Sequence, residues 1–133
     1  QSNKYSTMRY KEIRENEEGS EGRDFEHEKR ELDLYIMNDS ELYRQRFMPI
    51  LMNLARKMKR GVYDHKQAPK LWQYLVDAGA KQYVQEFGGT IRQQFPVEAR
   101  RELAQQLADE QYEMLQAGEY SEVTGYDPQK QEA

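Results

Sequence analysis

The chain has 133 residues, no cysteine and a formal net charge of −4 at pH 7. This length suits one domain, and the missing cysteines exclude a disulfide scaffold, a thiol nucleophile and cysteine-based zinc or iron–sulfur sites. The hydrophobic content of 37% is low and the charged content of 33% is high, so we expect polar ends around a compact middle.

The apolar residues are scattered, and no apolar run approaches the ~18 residues of a membrane span. No signal peptide is visible either. We therefore expect no membrane segment and a location in the cytoplasm, either of the native host or of a host cell that the protein enters.

The charge is distributed unevenly along the chain. Residues 41–70 carry 8 Lys/Arg and 2 Asp/Glu, whereas residues 1–40 carry 7 and 11, and residues 96–133 carry 3 and 9. A basic middle between acidic ends either attracts an anionic partner or pairs with acidic segments of the same chain. The sequence leaves both alternatives open.

Residues 1–24 are predicted to be a polar leader, and residues 1–3 (QSN) resemble the remnant of a protease-cleavable purification tag. A weak apolar stripe in the leader is compatible with a flexible segment or with an arm that docks on a neighbouring molecule.

Residues 25–37 fit two patterns. Leu32, Leu34 and Ile36 alternate as a strand would, whereas Phe25, Leu32 and Ile36 fit one face of a helix. We favour a helix, because a lone strand has nothing to pair with unless the chain dimerises.

The next predicted helix begins at a capping box, with Glu41 three residues after Asn38. Pro49 interrupts its apolar run, which predicts either one kinked helix or two helices that meet near Met48. Gly61 is expected to end it, after a run of cations that suits a helix C-terminus.

The segment that follows is the most apolar of the chain and contains the only tryptophan, Trp72. Asp64 can cap a short turn before it, Pro69 stands at the head of the predicted helix, and Gly88-Gly89 close it. Gly79 inside this helix predicts close packing against a neighbouring helix, since glycine costs up to ~1 kcal/mol relative to alanine there.

A last helix is predicted to begin at Pro96 and end at Gly118. Its expected buried face contains Val97, Leu103, Leu107, Met114 and Leu115. Residues 118–133 have low hydrophobicity and no period, so we expect a disordered tail.

The predicted fold is all-α. We expect a compact bundle of three to five short helices, built mainly from residues 39–117 within a helical domain at 25–117. The predicted core is Leu42, Phe47, Ile50, Leu51, Leu54, Leu71, Trp72, Leu75, Phe87, Leu103 and Leu107.

Motifs for catalysis are missing: the sequence contains no GxSxG, no HExxH and no phosphate-binding loop. We expect His27 to be a solvated surface residue and His65 a turn residue. Asp77 and Glu86 lie nine residues apart, on opposite sides of their predicted helix, and should not share a site. The sequence thus predicts a non-enzymatic protein without catalytic residues, cofactor or metal.

The basic block is the main functional lead. It consists of Arg44, Arg46, Arg56, Lys57, Lys59, Arg60, Lys66 and Lys70. Three of these, Arg56, Lys59 and Arg60, share one helix face, where they suit phosphate, and Tyr43 and Tyr63 can add stacking. Solvated charge at a helix end gives the same pattern, and the acidic last helix can neutralise the block internally.

Two neighbouring aromatic residues are out of helical phase. Trp72 is expected in the core, and Tyr74 then points outward, where a tyrosine is a good interface anchor.

Four segments carry a resemblance: RGVYD (60–64), KLWQYLVD (70–77), AKQY (80–83) and EFG (86–88). With them, residues 41–117 resemble small uncharacterised proteins of phages, prophages and plasmids. The resemblance implies a mobile-element origin and an accessory role, and it implies no activity, ligand or catalytic residue.

Two functional hypotheses follow. The first is a non-enzymatic accessory protein that binds a host or phage protein, and the second is a nucleic-acid-binding protein that uses the basic block at residues 44–70. A homodimer is compatible with either. The candidate partner-binding residues are Arg44, Arg46, Arg56, Lys57, Lys59, Arg60, Tyr63 and Tyr74.

Overall fold

The computed structural model describes residues 25–128. In chain order its helical elements are α1 (Glu26–Met37), α2 (Ser40–Leu42), a π-helical segment (Tyr43–Phe47), α3 (Met48–Lys59), α4 (Ala68–Phe87), α5 (Ile91–Gln94), α6 (Val97–Gln116) and α7 (Ser121–Thr124). No strand occurs between residues 25 and 128, so the all-α prediction is confirmed. The predicted leader, with its tag-like residues 1–3, and residues 129–133 lie outside the described residues.

Helix α4 lies at the centre of the bundle. Helix α6 packs along it, α1 contacts both, and the π-helical segment and α3 cover another side. Buried residues of α4 recur every three or four positions, as expected for a helix with a broad apolar stripe: Trp72, Leu75, Val76, Gly79, Ala80 and Tyr83. Trp72 is fully buried, and its ring centroid lies 5.1 Å from that of Phe47 in the π-helical segment.

The π-helical segment resolves the two alternatives for Pro49. The backbone stays right-handed helical at both junctions of the segment, and the Met48 N–H donates to the Tyr43 carbonyl, five residues back. Pro49 follows directly, as the second residue of α3. The wider turn thus comes just before the residue that lacks an N–H, and the helical path continues instead of breaking there.

The predicted capping box is wrong by one residue. Asp39, not Asn38, is the N-cap of α2, and its carboxylate accepts a hydrogen bond of 2.8 Å from the Leu42 N–H. Asp39 has the extended backbone that an N-cap needs, whereas Asn38 still has helical angles and closes α1.

The helix end at Gly61 is confirmed. Gly61 has φ +74°, and the N–H groups of Gly61 and Val62 donate to the carbonyls of Met58 and Lys57. This pattern satisfies the last carbonyls of α3 and requires a left-handed residue, which glycine adopts without strain. Asp64 then turns the chain, since its carboxylate accepts a hydrogen bond of 2.8 Å from the Lys66 N–H.

Most of the predicted core is confirmed. The residues that are buried as expected are Leu42, Phe47, Leu51, Leu54, Trp72, Leu75, Leu103 and Leu107. The prediction that Phe87 is buried is wrong, because its side chain is 39% exposed. Val97, on the predicted buried face of α6, is equally exposed. Each is a terminal residue of its helix, where no further turn covers the side chain. Ile50 and Leu71 are half-buried.

The C-terminal segment extends the domain beyond its predicted end at residue 117. Within residues 118–128 the chain forms α7, and Tyr126 is buried in the core. The Tyr120 hydroxyl donates to the side-chain oxygen of buried Gln111 over 2.5 Å. The expectation of a disordered tail from residue 118 is therefore wrong for residues 118–128, because tyrosines spaced through the polar segment give it apolar surface to bury.

Gly79 is the point of closest approach between α4 and α1. A Cβ atom added to Gly79 would lie 2.5 Å from Ile36 Cγ1 and 2.8 Å from Ile36 Cδ1. We expect Gly79→Ala to lower the free energy of unfolding by ~1–2 kcal/mol, because overpacking outweighs the better helix propensity of alanine. Urea denaturation measures this loss.

The same substitution in an Ile36→Ala background provides the control. There the obstructing atoms are gone, so Gly79→Ala should become neutral or stabilising. An equal loss in both backgrounds would show that the helices do not meet at these two residues.

Candidate functional site

Three exposed side chains form a line along α4, here called the α4 ridge: Lys70, Tyr74 and Lys81. Positions four and seven residues apart fall within about 40° of each other around a helix, so these side chains point in nearly one direction. Tyr74 is 67% exposed, whereas Trp72 two residues earlier is fully buried. The expectation that one of these aromatic residues faces outward is confirmed, and the outward one is Tyr74.

A groove runs beside the ridge, between α4 and α6. Its volume is about 480 Å³, and its lining is Pro69, Lys70, Gln73, Tyr74, Asp77, Arg101, Ala104 and Gln105. Asp77 is already compensated, because Arg100 Nη1 lies 2.9 Å from its Oδ1 atom and the Gln73 amide donates to the same atom. Lys70 and Arg101 thus remain as the charges of the groove that form no ion pair with another residue in 25–128.

A second recess lies on the opposite flank of the ridge, between α4 and the π-helical segment. It encloses about 290 Å³ and is lined by Glu41, Leu42, Gln45, Arg46, Ala78, Lys81, Gln82 and Gln85. Here called the Arg46–Lys81 pocket, it brings together one cation from each of two elements. Tyr74 therefore lies on a ridge with a basic recess on either side.

The predicted basic block divides into two surfaces. Lys70 belongs to the α4 ridge and Arg46 lies beside it, whereas Arg56, Lys59 and Arg60 are exposed at the C-terminal end of α3. Arg44 and Lys66 are exposed too, and Lys57 is half-buried. Within residues 25–128, none of the eight cations has a carboxylate within 4.0 Å, so internal neutralisation of the block is not what the described part of the chain shows.

Tyr63, a predicted stacking residue, packs within the fold. Its ring centroid lies 4.6 Å from that of Tyr112 on α6 and 4.9 Å from that of His65. Burial raises the pKa of Tyr63 to about 12, with smaller contributions from Tyr112 and Asp109. This contact fastens the turn between α3 and α4 onto α6, and His65 is a turn residue as predicted.

Two further sequence expectations have clear outcomes. His27 is half-buried on α1 rather than solvated. Asp77 and Glu86 do not share a site: Asp77 binds Arg100, while Glu86 accepts a 2.7 Å hydrogen bond from Tyr35 on α1. In residues 25–128 no group of three or more metal-ligating side chains is arranged to hold a metal ion.

Two residues of the site were not predicted from the sequence. The position of Lys81 could have been predicted from spacing, since it lies seven residues after Tyr74 and therefore on the same helix face. No sequence pattern places Arg101 in the site, because only the packing of α6 against α4 brings it to the groove.

Comparison with known proteins adds no assignment: no protein-family model matches the chain, and neither the curated proteins nor the solved structures contain a significant match. Among the helices within residues 25–128, none has the length and apolarity needed to cross a membrane.

The carboxyl group of Asp33, which is not part of the ridge, is unfavourably placed. Asp33 lies on α1, and its buried Oδ1 atom has no hydrogen-bond partner among the described residues. Burial raises the pKa of this carboxyl group, and the negative charge of Glu110 raises it further. The charged form of Asp33 therefore opposes folding at neutral pH.

We expect Asp33→Asn to raise the free energy of unfolding at pH 7. Because the folded pKa lies above the unfolded one, wild-type stability falls as pH rises through that interval, and the variant avoids this loss. The gain should shrink as pH is lowered toward the unfolded pKa. Denaturation curves between pH 4 and pH 8 measure it (about the range in which carboxylates titrate), with Glu122→Gln as the exposed control. A gain that is independent of pH would contradict this account of Asp33.

Proposed function

We propose that this chain is a non-enzymatic interaction protein that binds an acidic segment of a partner protein through the α4 ridge. One observation carries the proposal. Tyr74 is 67% exposed, and the ridge and its two recesses contain four cations without a carboxylate within 4.0 Å in the described part of the chain: Arg46, Lys70, Lys81 and Arg101.

The chemistry of this surface suits a protein partner. Tyrosine and arginine are enriched among the residues that dominate interface energies, and a tyrosine is ordered at low entropic cost because it has few rotatable bonds. Uncompensated cations around it attract carboxylates and suppress basic partners. An acidic segment that also carries an apolar side chain complements this surface in two ways. Its carboxylates pair with the cations, and its apolar side chain fits the groove beside Tyr74.

The identity of the partner is also part of the proposal. A host or phage protein, met in the cytoplasm by an accessory protein of mobile-element origin, remains the prediction from the resemblance. The α4 ridge supports this prediction with a candidate binding surface, and its cations favour an acidic partner. A second copy of the chain is the competing occupant, since residues 96–133 are themselves acidic.

Peptide display against the full chain tests this proposal, because it selects binders by their chemistry and does not require a named partner. We expect the selected peptides to be rich in aspartate and glutamate, and binding to be lost in Tyr74→Ala and Arg101→Gln variants. Val62→Ala is the matched control, because Val62 is 56% exposed on a different surface. Selected peptides without acidic residues would exclude the ridge as the binding surface. Binding that is unchanged by both substitutions would exclude it too. A dimer in solution that Tyr74→Ala dissociates would identify a second copy as the occupant and overturn the proposal.

Nucleic-acid binding is the second candidate, favoured by the exposed Arg56, Lys59 and Arg60 at the end of α3, which form no ion pair with any described residue. Phosphate-backbone binding of this kind falls steeply with salt concentration. Fluorescence anisotropy with DNA and RNA oligonucleotides in a salt series measures it. Low-salt affinity that disappears when the three cations are replaced by glutamine would favour this candidate, and no binding at low salt would exclude it.

A further inference from the structure

The Arg46–Lys81 pocket contains two cationic side chains that form no ion pair with the described residues around them. Arg46 and Lys81 approach it from the π-helical segment and from α4, and neither has a carboxylate within 4.0 Å among residues 25–128. Two cations that share a recess repel each other unless an anion lies between them. Exposed Gln45 and Gln85 add amide donors at its rim.

One lining residue of the pocket, Gln82, is already hydrogen-bonded to neighbouring side chains. The side-chain nitrogen of Gln82 donates to Asp39 over 2.6 Å and to the Tyr35 hydroxyl over 3.1 Å. Both of its N–H groups are thereby used, and its carbonyl oxygen is an acceptor only. The donors left for an anion are therefore Arg46, Lys81 and the amides at the rim.

The charges around the pocket select the kind of anion. Of the lining residues, two are cationic and one, Glu41, is anionic, which leaves one positive charge. A single carboxylate neutralises this excess and matches the planar fork of an arginine. A phosphate dianion would exceed it and would be repelled more strongly by Glu41, which lines the same pocket.

We propose that the Arg46–Lys81 pocket is a binding site for one carboxylate, namely an aspartate or glutamate side chain of the partner. The inference rests on the proposed function and deepens it, because it assigns the partner's acid to one position. Tyr74 and Lys81 are seven residues apart on α4, or about 10 Å along its axis. The partner thus places a carboxylate about 10 Å from the side chain that contacts Tyr74.

NMR titration of the full chain with sodium acetate and with inorganic phosphate, at constant ionic strength balanced by chloride, tests the site directly. We expect saturable acetate-dependent shifts at the Arg46 side chain and at Lys81, with phosphate binding more weakly. Arg46→Gln and Lys81→Gln should each weaken acetate binding by roughly tenfold, because each removes a charge-assisted hydrogen bond. Lys59→Gln, which removes an exposed cation elsewhere, should leave it unchanged.

Phosphate that binds more tightly than acetate would overturn the assignment to a carboxylate. Acetate shifts that are equal at Lys59 and Lys81, or that do not saturate, would overturn the site. Both failures are separate from a failure of the proposed function, since acidic peptides can still bind at Tyr74 and Arg101. Conversely, acetate binding without any acidic peptide selection would retain the pocket and exclude the protein-binding role.

Discussion

Replacement of Trp72 by alanine should lower the free energy of unfolding by ~3–5 kcal/mol, the range observed for large aromatic residues in protein cores. Trp72 is fully buried and packs against Phe47, so its removal separates α4 from the π-helical segment. A domain of this size has only ~5–15 kcal/mol of stability, so much of it would be lost.

Two variants make this measurement specific. Tyr74→Ala, two residues along the same helix but exposed, should change stability by no more than about 0.5 kcal/mol. Trp72→Phe should cost less than Trp72→Ala, because a ring remains and the buried Trp72 N–H, which has no partner among the described residues, is removed. A loss below ~1 kcal/mol for Trp72→Ala in urea denaturation would mean that α4 does not organise the core.

Tyr74→Ala should instead have a large effect on binding. Truncation of a central tyrosine commonly costs ~2 kcal/mol or more, which corresponds to roughly 30-fold in affinity. Isothermal titration calorimetry with an acidic peptide obtained by display measures this change. The loss should be in affinity alone, since Tyr74 contributes little to the core.

Tyr74→Phe is the conservative control for this second prediction. It retains the ring, so most of the affinity should remain if the ring is the anchor. Val62→Ala should leave the affinity unchanged. Equal affinities for wild type and Tyr74→Ala would remove Tyr74 from the interface.

Helical periodicity and end signals explain why the bundle was predictable. Gly61 and Pro69 mark the ends of neighbouring helices because their backbone requirements are local, and the alternation of Trp72 and Tyr74 separates core from surface. Asn38 and Asp39 show the limit of such signals. Both are good capping residues, and only the backbone angles decide which of them caps α2.

The errors come from tertiary packing. Phe87 has the right helical phase but lies at the last turn of α4, where neighbours cover only part of its ring. Residues 118–128 look like a polar tail, yet Tyr120 and Tyr126 find partners on the core. Spacing along the chain predicts the direction of a side chain, and it does not predict what lies opposite.

The same limit applies to the candidate site. Close spacing in the sequence predicts a single block of cations at residues 44–70. In the fold, Lys70 lies on α4 and Arg46 borders the recess beside it, while Arg56, Lys59 and Arg60 lie at the C-terminal end of α3. Arg101, from a helix predicted as mainly acidic, joins the first group.

The central claim is that the α4 ridge, and not the basic end of α3, is the docking surface. NMR shift mapping of the full chain with a display-selected acidic peptide tests it most directly. We predict saturable shifts along the ridge at Lys70, Tyr74 and Lys81, and at Arg46 and Arg101 in the two recesses beside it. Shifts concentrated on the last turns of α3, with none along α4, would contradict it.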